Sequence, residues 1–333
     1  MTRALVTGGC GFIGQPLVSE LVARGRQVRV LDVLLPTRTS AMVDYVQGSV
    51  LDRGLVHDVM GGVDEVYHLA GLPGMWKPDR ADFHAVNFTG TENILAAARQ
   101  RGATRFLHCS TESILFRTTQ QDDADAEDAL LKADDMPGPY TRSKMLADQL
   151  ALQAAAAGFP VIVGCPTMPI GPHDQNLTPP TAMLQHFLAG GPFQMYLDFI
   201  VNLVDVRDVA VGLILAMEKG RVGHRYVLGG DSIPLKQVLA LMAASGSRKV
   251  FVPVPGSFAE LAARMIEFIS DHVTRTAPAA TVEGVRIARR ATALSIEKAR
   301  RELGYMPRPV EPVLRETIAH LMKLPVRRIL SHA

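Results

Sequence analysis

Short apolar runs alternate along the first half of the chain with longer stretches whose apolar residues recur at helical spacing. RALVTGG, QVRVLDV, VDEVYHLA, TRFLHCST and PVIVGCP have strand length and carry mostly Val, Leu and other apolar residues. QPLVSELVARG and TENILAAARQRG, between them, have the pattern of helices with one apolar face. Strands of this kind, each followed by a helix, predict an α/β fold: a doubly wound parallel sheet covered on both faces. The texture changes after Pro166, where PTMPIGPHDQNLTPP is rich in proline and turn formers and leads into the helix-like TAMLQHFLAGG. NLVDVRDVAVGLILAMEKG returns to the strand-and-helix style, and smaller mixed elements follow residue 230. The pattern therefore predicts one unit from residues 1–165 and 203–229, and a smaller mixed α/β substrate-binding part from 166–202 and 230–324. In SFAELAARMIEFI, at 257–269, Phe258, Leu261, Met265 and Phe268 or Ile269 recur at helical spacing. Such a stripe ordinarily packs on a core or closes a pocket; its other use is to rest on a membrane.

The 333 residues are 47% hydrophobic, which supplies a core for a folded globular protein. Lys and Arg number 35 against 33 Asp and Glu, a net charge of +2 spread along the chain, so nucleic acid is not an expected partner. No apolar stretch reaches the roughly 18 residues of a membrane span. The start, MTRALVTGG, enters a strand pattern directly, so the expected location is cytoplasmic. Cys10, Cys109 and Cys165 lack paired spacing and read as reduced thiols. The ten histidines show no ligand spacing, and no metal is expected.

Gly8, Gly11 and Gly14 in VTGGCGFIG lie between the first strand and the first helix, with Phe12 and Ile13 among them. Glycine there lets the backbone turn sharply and approach a pyrophosphate at a helix N-terminus. Asp32 ends the second strand, 18 residues after Gly14, where a carboxylate can accept from the adenosine ribose and repel a 2′-phosphate. This favours NAD over NADP, although Arg38 offers a possible 2′-phosphate contact. Leu51 and Asp52 follow the next apolar run and can meet the adenine edge, with an ordinary turn as the alternative.

Tyr140 and Lys144 in YTRSK are four residues apart, on one face of a helix that begins near Tyr140. A cation about 4 Å from a phenol is worth about 4 kcal/mol at an effective dielectric near 20. That favours the phenolate, against the opposing effect of burial, and suits Tyr140 to proton transfer as hydride moves. Thr111, at the end of TRFLHCST, can hydrogen-bond the same substrate oxygen.

TGGCGFIG, LD at 31–32, HLAG at 68–71, VNFTGTENIL, CST, YTRSK, the proline segment after Pro166, NLVDVRDVA and KARRELGYMPRP occur in the order of a known family. The chain resembles the extended short-chain dehydrogenases/reductases, the NAD-dependent epimerase/dehydratase family. LPGMW, PTMPIGPHD and TVEGVRIARR place the likeness nearest the hopanoid-associated sugar epimerase, dihydroflavonol reductase and 3β-hydroxysteroid dehydrogenase branch. The resemblance implies a Rossmann-type sheet and a homodimer through the helices at TENILAAARQ and KMLADQLALQAAAA. It makes Tyr140 the acid/base, Lys144 the group that lowers its pKa and holds the nicotinamide ribose, and Thr111 the substrate-oxygen donor. Leu69, Ala70, Gly71 and Asn87 join the cofactor set, with Pro166 and Thr167 along the nicotinamide.

The related sugar dehydratases have Thr-Asp-Glu where this chain has Thr111-Glu112-Ser113. Serine cannot serve as the carboxylate base, so simple hydride transfer is expected rather than loss of water. The first functional expectation is an NAD(P)-dependent oxidoreductase acting on a lipophilic or polycyclic secondary alcohol or ketone, with Trp76, Glu112, Met195 and Arg207 as substrate contacts. The second is a nucleotide-sugar 4-epimerase with tightly held NAD, whose diphosphate would need Arg207, Arg286, Arg289 or Arg290. The third is a binding protein that has lost catalysis, which an intact Thr111, Tyr140 and Lys144 argue against.

Overall fold

The computed structural model describes residues 2–36, 39–116, 127, 131–244 and 249–323. Strand β1 (Arg3–Thr7) leads through the glycine loop into α1 (Gly14–Ala23), followed by β2 (Gln27–Asp32), β3 (Val43–Gln47), α2 (Arg53–Val59) and β4 (Glu65–His68). A short α3 (Ala81–Phe83) widens into a π-helical stretch at His84–Thr89 and continues as α4 (Gly90–Gln100). Next come β5 (Arg105–Cys109), α5 (Pro139–Ala156), β6 (Val161–Pro166), β7 (Met168–Ile170), α6 (Pro179–Ala189), β8 (Phe193–Tyr196) and β9 (Ile200–Asp205). The chain continues with α7 (Val206–Lys219), β10 (Arg225–Leu228), β11 (Asp231–Pro234), α8 (Leu235–Ala244), β12 (Val250–Pro253) and α9 (Gly256–Ile269), and closes with α10 (Val282–Arg290), α11 (Glu297–Leu303) and α12 (Val310–Lys323).

Seven strands form one sheet in the order β10-β6-β5-β4-β1-β2-β3, every pair parallel. All six residues of β6 are buried, as are four of the five in β1 and in β5, because helices cover both faces. The strand order reverses beside β1, and in open sheets of this kind the crevice beyond the strand ends at that point is the ligand site. This is the doubly wound Rossmann-type sheet that the alternating pattern predicts.

Two smaller sheets lie beyond it: β7-β9-β11, and the parallel pair β8-β12. Strand β9, which spans residue 203, pairs in the first of these. The large sheet and its helices form one hydrophobic cluster, which also takes in Leu294, Ile296, Ala299, Leu303 and Tyr305 around α11. Ile170, Leu184, Val201, Leu203, Leu235 and Leu314 belong to a second cluster.

The stripe at 257–269 does not pack on either core. Phe258, Leu261, Met265, Phe268 and Ile269 face solvent, and Ala263 is the helix's one buried residue. No helix among the described residues is long and apolar enough to cross a membrane.

Candidate active site

The glycine loop is shaped by contacts that leave no room for side chains. Gly8 has a positive φ of 71°, and a Cβ there would stand 2.8 Å from the Ala70 nitrogen. A Cβ on Gly14 would meet the Gly8 carbonyl oxygen at 2.2 Å. Both positions need glycine to hold the turn against HLAG and start α1 close to β1. The Asp32 carboxylate accepts from the Cys10 N–H at 2.9 Å and the Leu34 N–H at 3.1 Å, which holds it at the lip of this loop. Cys10, Phe12, Gln15, Leu34 and His173 line a cleft beside it. Arg38, the alternative contact for a 2′-phosphate, lies outside the described residues.

These residues fit a dinucleotide. The loop gives a glycine cradle at a helix N-terminus, and Asp32 ends β2 next to it. Two buried hydroxyls at the strand ends, Ser110 and Thr167, have no hydrogen-bond partner among the described residues, and Thr167 lies where the resemblance expects the nicotinamide. Asp52 is the N-cap of α2, accepting from Leu55 N–H at 3.0 Å, while Leu51 is exposed beside it.

The loop after β4 is fixed from behind. His68 bonds Thr7 Oγ1 through Nδ1 at 2.7 Å and Thr91 Oγ1 through Nε2 at 2.9 Å. The Thr91 hydroxyl proton goes to the Asn87 carbonyl, so Nε2 carries the imidazole proton and Nδ1 accepts from Thr7. Burial, reinforced by the Lys144 charge, brings this histidine down to about 3 and keeps it neutral. Asn87, in the π-helical stretch, accepts from Leu72 N–H at 2.7 Å and donates to Ser143 Oγ at 2.9 Å, tying the loop to α5. It therefore positions HLAG and the start of α5 together.

Tyr140 stands in the first turn of α5 and Lys144 one turn on, as their spacing requires. Thr111 and Ser113 hydroxyls are 3.0 Å apart, and both favour the ionised form of Tyr140. Lys144 Nζ donates to the Cys109 carbonyl at 2.8 Å in a buried setting. The expected lowering of the Tyr140 pKa is not found. Burial pushes the phenol up to about 12; the Thr111 and Ser113 hydrogen bonds pull it down, and the Glu283 and Cys109 charges add to the rise. Burial also lowers the Lys144 pKa.

Of the proposed substrate contacts, only Glu112 lies beside Thr111. It is buried, accepts from Asn202 Nδ2 at 3.0 Å, and is pushed by burial up to about 8. Trp76 is buried, with its indole N–H donating to Asp271 at 2.7 Å and the Arg80 guanidinium over its ring. Met195 is exposed on β8. Arg207 is gripped by both Asp205 oxygens and by Glu316 at 2.7 Å.

One buried carboxylate at the site escaped the sequence reading. Glu283 on α10 accepts from Tyr140 N–H at 3.2 Å, Thr141 N–H at 2.7 Å and Thr141 Oγ1 at 2.6 Å. The available signal was negative: α5 opens Gly138-Pro139-Tyr140 with no side chain at its N-cap, so its free N–H groups need an acceptor from elsewhere.

The model of the NAD dependent epimerase/dehydratase family matches residues 4–229. The chain belongs to this family. It is an enzyme of the extended short-chain dehydrogenase/reductase type, whose members are NAD-dependent oxidoreductases, epimerases or dehydratases. It is 32% identical over 326 residues to a putative dihydroflavonol 4-reductase of Synechocystis, covering 94% of this chain and 92% of that one. It is also 32% identical over 331 residues to the 4-hydroxy-2-methyl-3-oxo-4-farnesyl-3,4-dihydroquinoline-1-oxide ketoreductase of Stigmatella aurantiaca, covering 92% of each. Among solved structures, that of gox2253 superposes with a TM-score of 0.78 at 28% identity, covering 97% of this chain and 98% of the other.

Proposed function

We propose that this chain is a ketoreductase that uses NADH in preference to NADPH and acts on an apolar ketone or the matching secondary alcohol. The nicotinamide, when bound, supplies or accepts the hydride. The substrate oxygen lies against Thr111 and Tyr140, Thr111 orients it by a hydrogen bond, and Tyr140 gives it the proton. A phenol near 12 is fully protonated at neutral pH, which is the form that reduction of a ketone needs. Lys144, anchored on the Cys109 carbonyl, holds the ribose side of the site, and Asp32 accepts from the adenosine ribose.

The observation that carries net reduction over sugar epimerisation is the condition of the four candidate phosphate ligands. Arg207 is bound to Asp205 and Glu316, Arg286 and Arg289 to Glu260, and Arg290 to the Asp135 carbonyl. A sugar diphosphate would have to break these pairs to gain its own. The two relatives named above, a reductase and a farnesylated-quinoline ketoreductase, support the same reading. A homodimer through the outer faces of α4 and α5, and a cytoplasmic location, complete the proposal.

NADH oxidation by the purified protein with a panel of cyclic and long-chain ketones tests it. Turnover is expected, with Tyr140→Phe lowering kcat by about 10²–10⁴-fold and leaving NADH binding unchanged. Near-stoichiometric NAD released on denaturation, with no net NADH consumption, would point to epimerisation and overturn the reading.

A further inference from the structure

Helix α9 is inside out. Its carboxylates point into the protein: Glu260 is held by Arg264, Arg286 and Arg289, and Glu267 by Arg80 and the Val282 N–H. Phe258, Leu261, Met265, Phe268 and Ile269 occupy the opposite arc, each 48–62% exposed, and Val273 extends the arc at 73%. An amphipathic helix in water does the reverse, because exposed apolar surface costs about 25 cal/mol per Å². A second apolar face lies just upstream. Phe193 and Met195 of β8 pair with Val250 and Val252 of β12, and all four side chains are exposed. Only Val254 and Pro255 separate β12 from α9. Exposed apolar faces of this kind mark interaction surfaces.

Charge identifies the occupant. From Gly256 to Arg290 there are five arginines and four carboxylates. Glu283 is buried, Glu260 and Glu267 are largely covered, and Asp271 is paired with Arg80. Three arginines, Arg264, Arg286 and Arg289, share the one Glu260 carboxylate, so that cluster keeps a net positive charge although each is paired, and the exposed Arg275 adds to it. An apolar helix face rimmed by cations suits the interface of an anionic lipid bilayer.

We propose that α9, with the β8-β12 face, docks this enzyme onto anionic lipid membranes without spanning them. The docked elements reach the catalytic centre directly: α10, which packs on α9, carries Glu283 to the start of α5, and Asp271 just after α9 holds Trp76. Membrane binding stands on the exposed face and its charges alone, so it is independent of which ketone the site reduces.

Flotation of the full chain with vesicles tests the docking, using phosphatidylcholine alone and phosphatidylcholine with phosphatidylglycerol. The protein is expected to float with the mixed vesicles and less with the neutral ones. Phe258→Ser with Phe268→Ser should weaken partition by at least about tenfold, about 1.4 kcal/mol, with NADH affinity and melting temperature unchanged. Arg275→Glu should weaken binding to the mixed vesicles only. Protein that stays in solution with both vesicles, or a double variant that floats like the parent, overturns the proposal. So does a dimer in solution that the double variant dissociates, because the face would then be a contact between copies.

Discussion

Glu112 is a carboxyl group held in a place that disfavours its charge. It stands one position after Thr111, fully buried, and the Asn202 amide only partly offsets the effect of burial. Its folded pKa is about 8 against an ordinary 4.5, so the native state keeps a proton that the unfolded chain gives up. The sign follows from linkage. The contribution of Glu112 is full below about 4.5, falls by about 1.4 kcal/mol per pH unit above that, and is gone once pH passes about 8. Glu112→Gln removes this component. In urea unfolding, the parent is expected to lose stability relative to the variant as pH rises from acid to mildly alkaline, a few kcal/mol in all. Parallel pH profiles for the two proteins would show that Glu112 is already ionised in the fold.

At the scale of elements, α5, which carries Tyr140 and Lys144, takes its N-terminal acceptor from another part of the chain. Gly138 has no side chain to cap α5, and the carboxylate of Glu283, 142 residues beyond Thr141, accepts from the helix N–H groups instead. Glu283→Ala should cost about 1–3 kcal/mol, because Tyr140 and Thr141 N–H groups lose a buried acceptor. Their amides should then exchange with solvent faster than those later in α5; unchanged exchange would mean the helix start is held without Glu283. This contact marks the limit of what sequence could show. The parallel sheet, the glycine loop and the Tyr140–Lys144 pair are local or strictly periodic, so spacing alone places them. Glu283, the Asn202–Glu112 bond and the pairing of Arg207 with Asp205 and Glu316 depend on how distant segments come together. The α9 stripe shows the same limit: its periodicity is legible, but the face turned outward is decided by the arginines of α10 and Arg80 drawing its carboxylates inward.

Strand β9 joins the two hydrophobic clusters. Val201 and Leu203 enter the smaller cluster, whereas Val204 packs in the cluster of the large sheet. Asp205, buried at the strand end, binds Arg207 and Arg308, and Asp208 at the start of α7 takes both the Arg308 N–H and its guanidinium. Asp231 accepts from the Val310 N–H at 2.8 Å, so α12 is tied to the strand that extends the β9 sheet. A strand shared by two cores cannot be lost from one without exposing the other. Calorimetry is therefore expected to give a single endotherm with calorimetric and van't Hoff enthalpies close to equal. Leu203→Ala, in the smaller core, should lower that one transition by about 2–5 kcal/mol of stability. NADH should raise the same transition by mass action, although its crevice lies in the large sheet. Two endotherms, with NADH moving one and Leu203→Ala the other, would show that the two parts unfold independently.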